Sequence, residues 1–280
     1  MECGIKRVTE KETNEIGGSM LLGRYELKKE IGRGGSARVY LAWDRLEKRH
    51  WAIKEITGHR GMGNEQGKAA DSAEVRFLQK LYHPALPHIV RTISQKGKLY
   101  VVMDYVEGES LEQLLQEQGP FGEEQVLSWG IQLCRVLIYL HSQRPPVIYR
   151  DLKPANIMLQ QDGRLKLVDF GTARLYKERQ RRDTVRLGTY GFCAPEQLSK
   201  RGQSDARTDI YSLGVTLYVL LTGHYPSEEP YEICPIRQWN PQLSKELEKI
   251  IRKCTRPNPM KRYQNVGLVL SALQHCLNQR

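Results

Sequence analysis

The stretch VIYRDLKPANIM, residues 147–158, sets Asp151, Lys153 and Asn156 at short intervals just after the apolar pair Val147-Ile148. A run with helical spacing precedes it, and RLKLVDFG (164–171), which reads as strand, follows it. An ordinary surface loop needs no such set of polar groups. A phosphoryl-transfer site does need it, and Asp169 supplies a fourth member. Moving a phosphoryl group from ATP takes metal ions to neutralise the polyphosphate, and hard Mg²⁺ prefers oxygen ligands such as those of Asn156 and Asp169. It also takes a carboxylate beside the accepting hydroxyl and a cation near the transferring group.

Outward from this segment the chain changes texture twice. Residues 1–22 are polar and read as a loosely ordered leader. From Arg24, YELKKEIG, ARVYLAWD and HWAIKEI alternate apolar and polar residues and read as three consecutive antiparallel strands. A Gly-rich stretch, GHRGMGNEQGK, leads to DSAEVRFLQKLY, whose helical spacing is broken by the prolines of HPALPHIV. KLYVVMDYV reads as a buried strand. After Gly108 helices dominate: SLEQLLQEQ, EEQVLSWGIQLCRVLIYLHSQ, the nearly all-apolar TDIYSLGVTLYVLLTG, SKELEKIIRKC and YQNVGLVLSALQHCL. The expected architecture is α+β, with a small antiparallel β-rich lobe over residues 23–106 carrying one main helix. A larger, mostly helical lobe follows over 107–280, and the ligand cleft is expected between the lobes.

The 280 residues carry 43 Lys and Arg against 32 Asp and Glu, a formal net charge of +11. Apart from RLYKERQRRDTVR (174–186) the basic residues are scattered, with no aromatic-and-basic ribbon, so nucleic acid is not an expected partner. No apolar run is long enough to span a membrane, and no signal segment opens the chain. A cytoplasmic chain without membrane contact of its own is expected. The six cysteines, at 3, 134, 193, 234, 254 and 276, form no CxxC pair and read as reduced, packed thiols.

IGRGGSARVY (31–40) lies between two strands, which argues against a dinucleotide fingerprint, since that needs a helix start. Gly32, Gly34 and Gly35 would let a hairpin backbone approach phosphates closely. Lys54 sits on the third strand between Ile53 and Glu55, where a buried ammonium requires a partner, and Glu74 on the next helix is the natural one.

In this order the motifs resemble the serine/threonine protein kinases of the eukaryotic-like (Hanks) type, in their bacterial form, over residues 25 to about 277. The resemblance implies a two-lobed kinase fold, ATP and Mg²⁺ (or Mn²⁺) as cofactors, and Ser/Thr hydroxyls of proteins as substrates. It implies that Asp151 is the catalytic base and that Lys153 stabilises the γ-phosphate. Lys54, clamped by Glu74, would hold the α- and β-phosphates, with Asn156 and Asp169 on the metal. Nucleotide contacts fall to Ile31, Gly32, Gly34, Gly35, Val39, Ala52, Met103, Asp104, Val106 and Met158. Glu196 of APE and Arg262 would form a structural ion pair, with Asp209 opening the buried helix. Arg150, Thr184 and Thr189 are the regulatory candidates. Thr184 is the only Ser or Thr between Thr172 and Thr189, and self-association would allow its autophosphorylation.

Three departures stand out. Ala37 replaces the loop's third glycine, and Tyr149 replaces the usual histidine before Arg150-Asp151, where a packing role under DFG suits an aromatic. The proline-rich HYPSEEPYEICPIRQWNPQL disfavours a regular helix where the family has one. The rival readings are a nucleotide-binding scaffold and a small-molecule kinase. Intact Lys54, Asp151, Asn156 and Asp169 oppose the first, and a full segment through APE opposes the second.

Overall fold

The computed structural model describes residues 20–33, 37–56, 77–95, 98–170, 173–176, 189–199, 202–226 and 232–279. The α+β division holds: a sheet unit ends at Val106, and a helical unit runs from Glu107 and includes the loop His83–Leu86.

The sheet unit contains β1 (Met20–Leu21), β2 (Tyr25–Arg33), β3 (Ala37–Asp44), β4 (Arg49–Ile56), β5 (Ile89–Gln95) and β6 (Lys98–Asp104). They form one antiparallel sheet in the order β1-β2-β3-β4-β6-β5. Pairing begins at Met20, inside the stretch read as leader, because Leu21 enters the core beside Tyr25 and Leu27. Period-two alternation turns Tyr40, Ala42, Trp51, Ile53, Ile93 and Val102 into that core. The β3–β4 reversal is fixed by Asp44, whose side chain is fully buried and ion-paired to Arg24 at 2.6 Å. Asp44 also accepts hydrogen bonds from the backbone N–H of Leu46 and Glu47 and from Trp51 Nε1. β5 was not anticipated in the sequence. The helix expected over 71–82 lies mostly outside the described residues, which hold only its last turn, with Lys80 N–H donating to Phe77 O.

In the helical unit β7 (Glu109–Ser110) leads into α1 (Leu111–Gln118), then α2 (Glu123–His141) and β8 (Val147–Ile148). A 3₁₀ turn at Pro154–Asn156 precedes β9 (Ile157–Leu159), β10 (Leu165–Leu167) and β11 (Arg174–Leu175). α3 (Pro195–Leu198), α4 (Ala206–Thr222), α5 (Ile236–Trp239), α6 (Lys245–Cys254) and α7 (Val266–Asn278) complete it. Ser110, Ser244 and Asn265 each cap the helix that follows with a side-chain oxygen. α4 is buried from Thr208 to Thr222 and so forms the unit's central axis. α6 crosses it at Gly214, where an added Cβ would lie 2.6 Å from Cys254 Cβ.

Proline does shorten the segment after α4: Pro235 begins a helix of only four residues, α5. Cys134, Cys193, Cys254 and Cys276 are packed thiols as expected, whereas Cys234, in that same irregular segment, is exposed. No helix among the described residues is long and apolar enough to cross a membrane.

Candidate active site

The loop after β8 is built on one buried carboxylate. Asp209, in the first turn of α4, is fully buried and accepts the backbone N–H of Tyr149 at 2.9 Å and of Arg150 at 2.7 Å. This grip holds Arg150 at φ 72°, a left-handed conformation that costs a non-glycine residue about 1–3 kcal/mol and needs such support. Gln197 of α3 adds a bond from Nε2 to Arg150 O at 3.0 Å, and Thr216 Oγ1 donates to Leu152 O at 3.2 Å. Buried side chains of α3 and α4 therefore pin the backbone on both sides of Asp151.

Asp151 sits within a compact polar network. Its Oδ1 accepts Thr189 Oγ1 at 2.8 Å, and its Oδ2 accepts Asn156 Nδ2 at 2.9 Å and faces Lys153 Nζ at 3.1 Å. Lys153 Nζ also donates to Thr189 Oγ1. A threonine hydroxyl thus already rests between a carboxylate and an ammonium, so the geometry is one that suits an alcohol. Sequence spacing brought Asp151, Lys153 and Asn156 together; the addition of Thr189, 38 residues later, is a product of the fold.

Asn156 is joined to the strand that carries Asp169. Val168 N–H donates to Asn156 O at 2.9 Å, in continuation of the β9–β10 pairing. Asp169 itself has φ 67°, a second strained residue in the site. Both hydrogen bonds of the Asn156 amide leave through Nδ2, to Asp151 O and Oδ2, which leaves Oδ1 as a hard oxygen donor. With the Asp169 carboxylate it makes a sparse oxygen set. Among the described residues no group of three or more His, Cys, Asp or Glu could hold a metal alone. Such a set fits Mg²⁺, which keeps several waters and takes further oxygens from phosphates.

Tyr149 takes the packing position foreseen for it. It is fully buried, its ring meets Phe170 edge-on at 5.5 Å, and its hydroxyl donates to Val168 O. Burial, then the nearby carboxylates of Asp169, Asp151 and Asp209, push its pKa well above the ordinary phenol value, so it remains a donor. This bond to the backbone just before Asp169 was not foreseen in the sequence.

Glu196 and Arg262 form the anticipated pair through two bonds of 2.7 and 2.8 Å. Arg262 also donates to the carbonyls of Arg256, Arg207 and Pro257 and packs over the Tyr211 ring. Cys193 is buried beside this region, and burial raises its thiol pKa, in keeping with a packed thiol.

In the sheet unit Lys54 is buried on β4, with Val39 of β3 and Val101 of β6 as its register partners. Ala52 pairs with Met103, and Gly32 with Val39. Asp104 is ion-paired to Arg49 at 3.2 Å, and Val106 is buried. Ile31 is exposed on β2, and Met158 lies on β9 opposite Ser110 and Lys166. Gly34, Gly35, Glu74 and Thr184 lie outside the described residues.

The protein kinase domain model matches residues 25–277. A probable serine/threonine-protein kinase of Clostridium acetobutylicum is 31% identical over 273 residues, covering 93% of this chain and 41% of its own. The serine/threonine-protein kinase PrkC of Bacillus subtilis is 31% identical over 259 residues, covering 88% of this chain and 39% of its own. A probable serine/threonine-protein kinase of Streptomyces coelicolor is 32% identical over 274 residues, covering 91% and 40%. The chain thus spans about two-fifths of the length of these relatives. With the family model matching nearly its whole length, the chain belongs to the protein kinase family.

Proposed function

We propose that this chain is a serine/threonine protein kinase domain that transfers the γ-phosphate of ATP to Ser and Thr hydroxyls of proteins. The observation that carries the reading is the hydroxyl of Thr189 held at 2.8 Å by Asp151 and bonded by Lys153. A substrate hydroxyl entering the same network would meet Asp151 as the group that orients it and takes its proton as the phosphorus–oxygen bond forms. Lys153 would meet the charge on the transferring phosphoryl group. The Asn156 amide oxygen and the Asp169 carboxylate would hold Mg²⁺, which supplies neutralising charge to the polyphosphate. In the sheet unit Lys54, paired with Glu74, would bind the α- and β-phosphates together with Gly32, Gly34 and Gly35. Ile31, Val39, Ala52, Met103, Asp104, Val106 and Met158 would contact the nucleotide.

Thr184 is the proposed phosphorylation site, reached when two copies meet. Its phosphate would pair with the cationic side chains of its own segment and with Arg150. The test incubates the chain with Mg²⁺ and γ-labelled ATP, alone and with a basic Ser/Thr-containing protein, and then identifies the labelled residues. Label on phosphoserine and phosphothreonine is expected, with Thr184 among the sites. Label on tyrosine, or only inorganic phosphate, would overturn the reading.

A further inference from the structure

A cavity of about 920 Å³ opens within the helical unit and shares no lining residue with the polar network around Asp151. One wall is a single face of α2, where Ile131, Gln132 and Arg135 fall at helical spacing. Leu277 of α7, Leu165 of β10 and Pro84 of the loop His83–Leu86 supply apolar surface from three further elements. Hydrogen bonds tie these walls together. Gln132 Oε1 accepts Leu165 N–H at 3.0 Å, and its Nε2 donates to Gly163 O at 3.3 Å, so α2 holds the β9–β10 turn. Leu167 N–H donates to Ala85 O at 2.9 Å and joins the loop to the same hairpin.

The charge of the lining is one-sided. Arg164 Nε donates to Asp162 Oδ2 at 2.6 Å, so these two groups neutralise each other. His83 adds no charge: burial lowers its pKa, and its Nδ1 accepts Ala85 N–H at 3.1 Å, which leaves the ring proton on Nε2. Arg135 is exposed and has no ion-pair partner among the described residues. An uncompensated cation therefore borders a largely apolar surface.

We infer that this cavity binds an amphiphilic organic anion, a small molecule with an apolar body and one carboxylate. The body lies over Ile131, Leu165 and Leu277, and the Arg135 guanidinium takes the carboxylate through paired N–H donors. The volume falls in the range of about 300–1,000 Å³ typical of small-ligand sites. Walls already tied to one another need little ordering when a ligand enters. A cationic ligand would meet Arg135 with no acid to offset it, because Asp162 is committed to Arg164. The inference is independent of the phosphoryl-transfer reading, since neither the cavity nor its charge depends on ATP chemistry.

The test uses the whole chain and two probes of one shape, naphthoate and its neutral amide. Each is titrated while the backbone amide resonances of Gln132, Leu165 and Leu277 are followed, which locates binding at the cavity. A shielded charge-assisted hydrogen bond corresponds to roughly tenfold or more in affinity, and one at an exposed arginine to less. Naphthoate should therefore shift these amides with an affinity about three- to tenfold above that of the amide. Arg135→Gln, a change on the exposed side of α2, should erase that preference and alter binding of the neutral amide by less than about twofold. Three results would overturn the inference: no shift of the three resonances with naphthoate up to about 5 mM, equal affinity of the two probes, or a preference that survives in Arg135→Gln. So would tighter binding at these amides by a blocked acidic peptide than by naphthoate, which would mark a groove for protein instead.

Discussion

Removing the Arg262 guanidinium should destabilise the helical unit far more than removal of a surface arginine. The side chain has no exposed area and makes five hydrogen bonds, two to the Glu196 carboxylate and three to backbone carbonyls. Arg262→Ala leaves those carbonyls and a carboxylate only 13% exposed without their cation, and forfeits the packing over Tyr211. Breaking a buried pair from one side costs about 3–5 kcal/mol. For a unit of this size that corresponds to a fall in Tm of roughly 6–20 °C. Urea unfolding followed by circular dichroism would measure it, with Glu196→Gln and the double variant closing a thermodynamic cycle. The two side chains bond directly, so the double variant should lose clearly less than the sum of the single losses. A loss below about 1 kcal/mol for Arg262→Ala, the scale of an exposed ion pair, would refute the reasoning. So would additive single losses.

Two further perturbations follow from the packing and the electrostatics. Burial alone would raise the Asp44 pKa, but Arg24, the Leu46 and Glu47 amides and Trp51 Nε1 outweigh it and hold it at about 2, below the ordinary 3.8. A depressed pKa contributes stability above the unfolded value and loses it as pH falls, so the advantage of the native chain over Asp44→Asn should shrink by about 2 kcal/mol between pH 4 and pH 2. An advantage constant across that range in acid unfolding would contradict it. Gly214→Ala would gain about 1 kcal/mol in an exposed helix, but here its Cβ would lie 2.6 Å from Cys254 Cβ and 2.8 Å from Thr255 Cγ2. The expected outcome is a net loss of about 1–3 kcal/mol in thermal unfolding, and a gain would show that α4 and α6 have room to part.

Much of this molecule was legible because its elements obey simple periods. β3 alternates along its length, and the nearly all-apolar run of α4 is buried on every side. β5 was missed because its pairing with β6 slips between Ile89 and Arg91, so IVRTISQ shows no clean alternation. β10 was legible in RLKLVDFG, whereas the short strands β8, β9 and β11 and the four-residue helices α3 and α5 are set by tertiary pairing rather than by propensity. In the site, Asp151, Lys153, Asn156 and Asp169 announce themselves by chemistry and spacing. The two backbone N–H groups that Asp209 accepts and the hydroxyl bond of Tyr149 do not, because those partners are backbone groups that no side-chain pattern encodes.

The central claim is that Asp151 serves transfer of phosphate to an alcohol. The most direct measurement compares γ-phosphate transfer by the native chain and by Asp151→Asn, with nucleotide binding followed in parallel by thermal stabilisation in Mg-ATP. The account predicts a fall in transfer of about 10²–10⁴-fold with the stabilisation by nucleotide retained. Transfer at the native rate in Asp151→Asn would contradict it.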